Sequence, residues 1–240
     1  MSLQEQVNFC FPLRVLANDK IKLVPLEASK HAAKLIEAAL DHPEIYRFMP
    51  SGPYTSAEHY VSEFLEGTSL PDPAWATLAV IDKTRPASAE DPEGELAGTM
   101  SYMRSSATAL CTEIGFVIVL PAYQRTHVTT NAVGLMMEYA LSSPAEGGLG
   151  LRRVQWRAHS LNAGSIKVAE RMGFISEGIS RWDVRFAKGR LHGKVGNGKP
   201  LPPGSDPDDL WRDSITLSHC WDDWTSGGRE KVEAAMNRSK

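Results

Sequence analysis

The residues that point to chemistry gather in one stretch, EIGFVIVLPAYQRTHVTTNAV, from Glu113 to Val133. Glu113 to Val119 is β-branched and aromatic, which suits a strand. Leu120-Pro121 stops it, and Val133, Met136, Met137 and Ala140 then recur at helical spacing. A strand that runs into a helix start leaves N–H groups without intrahelical partners. Those donors and the positive end of the helix dipole favour an anion. Gln124, Arg125, Thr126, His127 and Thr129 surround the same point with further donors, with Val128 between them. A diphosphate matches such a junction. About thirty residues on, Asn162 stands at the start of another helical stretch and Ser165 in its first turn. Asn162 suits an N-cap.

Other chemistries find less support. Cys10, Cys111 and Cys220 are far apart and form no CxxC pair, against a zinc site or disulfide framework. The seven histidines show no i,i+4 pairing beside carboxylates, so no metal is expected. Neither a GxSxG elbow nor a GxxxxGK[ST] loop is present. Gly193 to Lys199 is rich in glycine and lysine but lacks a strand before it and a helix after it, and reads as a flexible loop. A net charge of -3 gives no basic excess for nucleic acid or an anionic membrane. The start of the chain lacks a signal-peptide pattern and no apolar run is long enough to span a bilayer, so a cytoplasmic protein is expected.

Strands are expected at Lys20–Leu26, Trp75–Ile81, Leu96–Met103, Glu113–Val119, Arg153–Ala158, Phe174–Phe186 and Ser214–Trp221. Helices are expected at Ala28–Leu40, after a cap at Thr55 or Ser56, at Thr129–Leu141 and at Asn162–Met172, the last closed by Gly173. The near-continuously apolar Glu113–Val119 reads as a central strand covered on both faces. The order β-αα-βββ-α-β-α-ββ predicts a mixed α/β fold, a twisted mixed sheet with helices on both faces. One domain over 1–240 is expected, with a core of about 20–224, an arm at 1–19, an insertion at 188–209 and a polar tail at 225–240.

Gln124-Arg125-Thr126-His127-Val128-Thr129 resembles the pyrophosphate-binding turn of the GNAT acetyltransferases, Gln/Arg-x-x-Gly-x-Gly/Ala, in the branch of ribosomal-protein alanine N-acetyltransferases. RVQWRAHSLNAGSIKVAERMGF, from Arg153 to Phe174, resembles that family's strand, Asn-x-x-Ser turn and helix ending in Gly-Phe. The resemblance runs from Lys20 to Trp221 and is strongest from Glu113 to Gly178. It implies transfer of acetyl from acetyl-CoA, a co-substrate, to a primary amine by direct attack. Gln124 to Thr129 would then hold the pyrophosphate, and Asn162 and Ser165 the pantetheine arm and thioester. A backbone N–H at Phe116, Val117 or Ile118, freed by a bulge, would hold the acetyl carbonyl.

His127 stands where the family has glycine, which lets backbone approach phosphate closely. Either its imidazole donates to the pyrophosphate, or it is a turn residue beside amides that do the binding. Glu113 is the leading candidate for general base, since partial burial would raise its pKa. The alternative is an exposed strand-edge carboxylate, or one paired with an arginine. His159 and Ser160 are rivals. The tyrosine that often serves the family as general acid has no counterpart after Asn162. Ser165 is left to hold the sulfur or relay through water, unless the thiolate leaves unaided.

On the acceptor side, Tyr46, Phe48 and Tyr54 either line a pocket or pack under a loop. Trp182, Trp211 and Trp221 are candidates for a far wall. The insertion, with Lys188, Arg190, His192, Lys194 and Lys199, reads as a solvated loop or as a lid. The acceptor, a small amine or a protein N-terminus, is open, as is the choice between monomer and homodimer. A catalytically silent acyl-CoA-binding sensor and an unrelated nucleotide-using α/β enzyme are the alternatives.

Overall fold

The computed structural model describes residues 7–186 and 188–238. Eight strands form one sheet: β1 (Leu16–Ala17), β2 (Ile21–Pro25), β3 (Ala76–Asp82), β4 (Glu95–Ser106), β5 (Cys111–Val119), β6 (Arg153–His159), β7 (Ile175–Phe186) and β8 (Leu210–Cys220). Their order is β1-β2-β3-β4-β5-β6-β8-β7. β5 and β6 run parallel, and every other neighbouring pair is antiparallel. All residues of β3 are buried. Successive strand side chains point to opposite faces, so both faces of the sheet are covered there.

The helices are α1 (Ala33–Leu40), which continues a π-helical turn at Ala28–Ala32; α2 (Ala57–Tyr60), prolonged by π-helical Val61–Ser69; α3 (Val128–Leu141); α4 (Ala163–Arg171); and α5 (Arg229–Asn237). Among the described residues no helix is long and apolar enough to cross a membrane. The Ser56 hydroxyl caps α2 by accepting from His59 N at 3.1 Å. Twelve of the fourteen residues of α3 are buried. A helix apolar on all sides needs cover on all sides. The sheet supplies one side, where Tyr102 Oη donates to Met136 O at 2.7 Å.

The outer side of α3 explains why both ends of the chain pack more closely than the sequence suggests. Residues 1–19 read as an arm, yet Phe11, Leu13 and Leu16 are buried in the core and Tyr139 Oη donates to Pro12 O at 2.8 Å. The tail reads as polar, yet α5 buries Val232, Ala235 and Met236. Met236 lies over Gly134, where a Cβ would come within 2.4 Å of its Sδ. The core therefore extends beyond 20–224 at both ends.

β8 begins at Leu210, before the expected Ser214. Trp211 and Arg212 pair with Arg185 and Val184 of β7.

Candidate active site

β5 and β6 are registered only over Cys111–Glu113 and Arg153–Gln155. Beyond Glu113 no further partners join them. β5 also carries a bulge: Ser101 pairs with Gly115 and Thr99 with Ile118, so that one residue of β4, Met100, faces two of β5, Phe116 and Val117. Phe116 sits in the bulge at φ 49°. The left-handed region is unfavourable for a bulky side chain. Aromatic contacts hold it there, since Phe116 stacks on Phe64 at 4.7 Å and meets Trp75 edge-on at 5.0 Å. A bulge leaves its extra residue out of the ladder, here at the expected positions.

A cleft of about 310 Å³ opens where the two strands part. Phe116, Val117 and Ile118 line it, as do Gln124 and Thr129 from the strand–helix turn and Asn162 and Ser165 from the start of α4. The two turns singled out by sequence thus share one cleft. Asn162 Oδ1 caps α4 by accepting from Ser165 N at 3.1 Å. Its Nδ2 has no partner among the described residues. Ser165 Oγ accepts from Trp156 Nε1 at 2.9 Å, so its own proton is free to be donated.

Arg125, Thr126, His127 and Val128 complete the turn, but their side chains do not line the cleft. Arg125 is exposed and carries the left-handed φ of 60°. Thr126 Oγ1 donates to Tyr123 O at 2.6 Å. His127 Nε2 lies 3.2 Å from Asp82 Oδ1, and Val128 is fully buried. Gln124 Nε2 donates to Val119 O at 3.1 Å, tying the turn to the end of β5. The amides of Arg125, Thr126, His127 and Thr129 have no backbone acceptor among the described residues.

A parallel pair that splays at a bulge, beside a donor-rich turn at the head of a helix, is the geometry that the sequence resemblance anticipates. A family model described as "Acetyltransferase (GNAT) domain" matches residues 20–175. The chain belongs to the GNAT acetyltransferase family. Its reaction is acetyl transfer from acetyl-CoA to an amine. Similar solved structures share the GNAT fold. A GCN5-related N-acetyltransferase from Brucella melitensis has 24% identity over 94% of this chain and 86% of its own, at a TM-score of 0.71. RimJ from Mycobacterium smegmatis, solved with CoA-disulfide, has 16% identity over 94% of this chain and 93% of its own, at 0.64. Spermidine N-acetyltransferase from Vibrio cholerae, solved with CoA and spermine, has 14% identity over 87% of this chain and 99% of its own, at 0.59. No curated protein is similar enough in sequence to match.

A second cavity of about 360 Å³ adjoins this GNAT cleft, sharing Met49, Phe116, Arg157 and Arg212 with it. Glu113 lines the second cavity. It is 2% exposed, and burial raises its pKa while the Arg104 guanidinium, 2.8 Å from Oε2, pulls the other way. The carboxylate is buried rather than at an exposed strand edge, and it is paired with an arginine.

The rivals are less suited. His159 Nδ1 accepts from Leu161 N at 3.1 Å, which leaves Nε2 to donate to Val195 O at 2.9 Å. Burial pushes its pKa down, and neither nitrogen is left to take a proton. Ser160 lines neither cavity. Phe48 lines the cleft and Tyr54 the second cavity, whereas Tyr46 is buried and packs edge-on against Tyr54 at 5.6 Å. Trp182, Trp211 and Trp221 line neither space. Cys220, Asp222 and Asp223 bring three potential ligand atoms together, but Asp223 Oδ2 accepts from Cys220 N at 2.9 Å and caps the short helical turn Trp221–Asp223.

The insertion is more than a solvated loop. Lys194 Nζ is buried and donates to Met49 O at 2.9 Å, Ser51 O at 3.0 Å and Tyr46 O at 3.4 Å. Burial pushes its pKa down to about 8. Val195 N donates to Arg47 O at 3.0 Å. The segment thereby straps the bend that walls both cavities. Trp156, Arg157 and Arg212 are not singled out by the sequence as site residues. Trp156 and Arg157 alternate along β6, a pattern that signals a strand but not a site.

Proposed function

We propose that the whole chain, 1–240, works as a single cytoplasmic acetyltransferase domain, without nucleic acid or membrane partners. The observation that carries the site assignment is the shared cleft: the Gln124–Thr129 turn and the Asn162–Ser165 turn flank the gap where β5 leaves β6. In this reading the backbone amides of Arg125, Thr126, His127 and Thr129 receive the pyrophosphate, helped by the dipole of α3. Asn162 Nδ2 donates to the pantetheine arm. An amide of the bulge at Phe116–Ile118 stabilises the oxyanion as the amine attacks. Glu113 accepts the proton of the incoming ammonium, and the Ser165 hydroxyl donates to the departing sulfur. The amine comes in from the second cavity, which places its nitrogen on the far side of Phe116 from the pyrophosphate turn.

Thermal-shift screening with acetyl-CoA, coenzyme A and longer acyl-CoAs, followed by free-thiol release with an amine panel, tests this. Stabilisation by acetyl-CoA and time-dependent thiol release are expected. Binding without release across the panel points to the silent acyl-CoA sensor. No response to coenzyme A at millimolar excess removes the reading.

Two substitutions test the turns separately. Gln124→Ala and Asn162→Ala are each expected to raise the Kd for acetyl-CoA by about three- to tenfold, the loss of one net hydrogen bond. Asn162→Ala also removes a helix cap and should cost about 1 kcal/mol of stability. Gln124, exposed on the surface, should cost less. Calorimetric titration beside denaturant melts separates affinity from stability, and unchanged affinity in both variants refutes the assignment of the turns.

A further inference from the structure

The second cavity is lined by three guanidiniums, and only two of them have carboxylate partners. Arg104 is paired with Glu113 at 2.8 Å, and Arg157 with Asp183 at 2.7 Å. Arg212 is 8% exposed and has no carboxylate partner among the described residues. Its Nε donates to Ser214 Oγ at 2.8 Å and its Nη1 to Phe48 O at 3.2 Å. Its Nη2 has no hydrogen-bond partner among the described residues. Burial pushes the guanidinium pKa down to about 10; Asp183 and Glu113 act against this, but Glu113 is paired with Arg104 and Asp183, through Oδ1, with Arg157. The remaining carboxylate lining the cavity, Glu63, lies 2.8 Å from His59 Nε2.

A buried cation without a counter-ion is costly to keep. Arg212 also lines the cleft, so it stands where the two spaces meet. The rest of the lining differs in kind. Tyr54, Phe64, Trp75 and Phe116 belong to it, with Met49 and Met103 beside them. The cavity therefore combines an unmatched positive charge with an aromatic, apolar lining.

We infer that the acceptor is a small amine bearing a carboxylate and an apolar body, an apolar α-amino acid, and that Arg212 receives the carboxylate. The inference rests on the acetyltransferase reading and narrows it. A guanidinium fork matches the planar carboxylate and makes charge-assisted hydrogen bonds. A polyamine brings further positive charge towards Arg157 and Arg212, and like charges brought together are unfavourable. A peptide N-terminus has an amide where the amino acid has its carboxylate and leaves Arg212 unmatched. A cavity of about 360 Å³ lies within the range for small-molecule sites.

The test uses the full chain saturated with coenzyme A. N-acetylated phenylalanine, leucine and methionine are titrated by calorimetry against their carboxamides. Thiol release from acetyl-CoA is measured with the free amino acids, their amides, spermine and a short peptide with a free N-terminus. The carboxylate forms are expected to bind at least about tenfold more tightly than the amides, the advantage of a charge-assisted contact. Arg212→Gln should erase that preference and Arg212→Lys should retain part of it. Both should keep the thermal shift given by coenzyme A, which reports an intact fold. If Arg212→Gln does not fold, the comparison of carboxylate with amide on the unaltered protein decides alone.

Equal binding of acid and amide overturns the inference. So does a preference that survives Arg212→Gln, a faster reaction with spermine or the peptide, or no binding by any of the acids at millimolar concentration. Failure of the acetyltransferase reading looks different: no thiol release with any amine and no shift with coenzyme A.

Discussion

Glu113→Gln is expected to lower kcat by a factor of about 100 to 10,000, the usual range for loss of a general base. The Kd for acetyl-CoA should stay within about twofold, because a group that acts on the acceptor proton does not bind the donor. Glu113 lines the second cavity and not the cleft proposed to hold the cofactor. In the unaltered enzyme kcat/KM should rise with pH through a carboxylate pKa above the ordinary value, since burial is the largest influence on Glu113. That limb should vanish in the variant.

Stability should move the other way. A carboxyl whose folded pKa is raised binds more protons in the native than in the unfolded state between the two pKa values, so stability falls as pH rises through that window. The penalty is fully present above it. Glu113→Gln removes the penalty and leaves Arg104, whose side chain is 48% exposed, free to remain solvated. The variant should therefore melt at or above the temperature of the parent at pH 7 while turning over far more slowly. Steady-state kinetics and thermal melts across pH measure both. A variant with a normal rate at neutral pH would falsify the base assignment.

The parts of the site legible in sequence are those whose chemistry is local. Asn162 and Ser56 announce themselves as caps because a cap bonds within its own turn, Asn162 to Ser165 N and Ser56 to His59 N. Pro121 ends β5 and α3 follows within a few residues, so a donor-rich junction can be read from neighbours alone. The mixed α/β character and the succession of elements along the chain follow from elements of distinct period.

What stayed hidden depends on distant partners. Arg212 lies beside Asp213 in a stretch without strand periodicity, and its burial is set by Phe48 and by β7. Lys194 looks like one more solvated cation until the carbonyls of Tyr46, Met49 and Ser51 are brought to it by the fold. The replacement of glycine by His127 proves conformationally undemanding. His127 has φ -67°, and it is Arg125 that takes the left-handed value.

Gly98→Ala should destabilise the protein by about 3 kcal/mol or more, through a strained backbone and a collision. For a chain of this size that lowers the Tm by roughly 6–12 °C. Gly98 sits in β4 opposite Val119 with φ 155°. A Cβ there would come within 2.1 Å of Ile118 O and 3.0 Å of Val119 Cα. Both are backbone atoms of β5 and have no rotamer to change. The only relief is to push the end of β5 away from β4, which displaces the bulge at Phe116 and the donors proposed to hold the acetyl carbonyl. Affinity for acetyl-CoA and turnover should fall together with stability.

Gly178→Ala supplies the comparison. It has φ 147°, and a Cβ there would meet nothing within 4 Å. The conformational cost is similar and the collision is absent. The difference in Tm between the two variants isolates the approach of β4 to Ile118 O. Near-equal melting temperatures, with acetyl-CoA affinity retained in Gly98→Ala, would mean that the bulge tolerates displacement. The oxyanion donor would then have to be sought outside Phe116–Ile118.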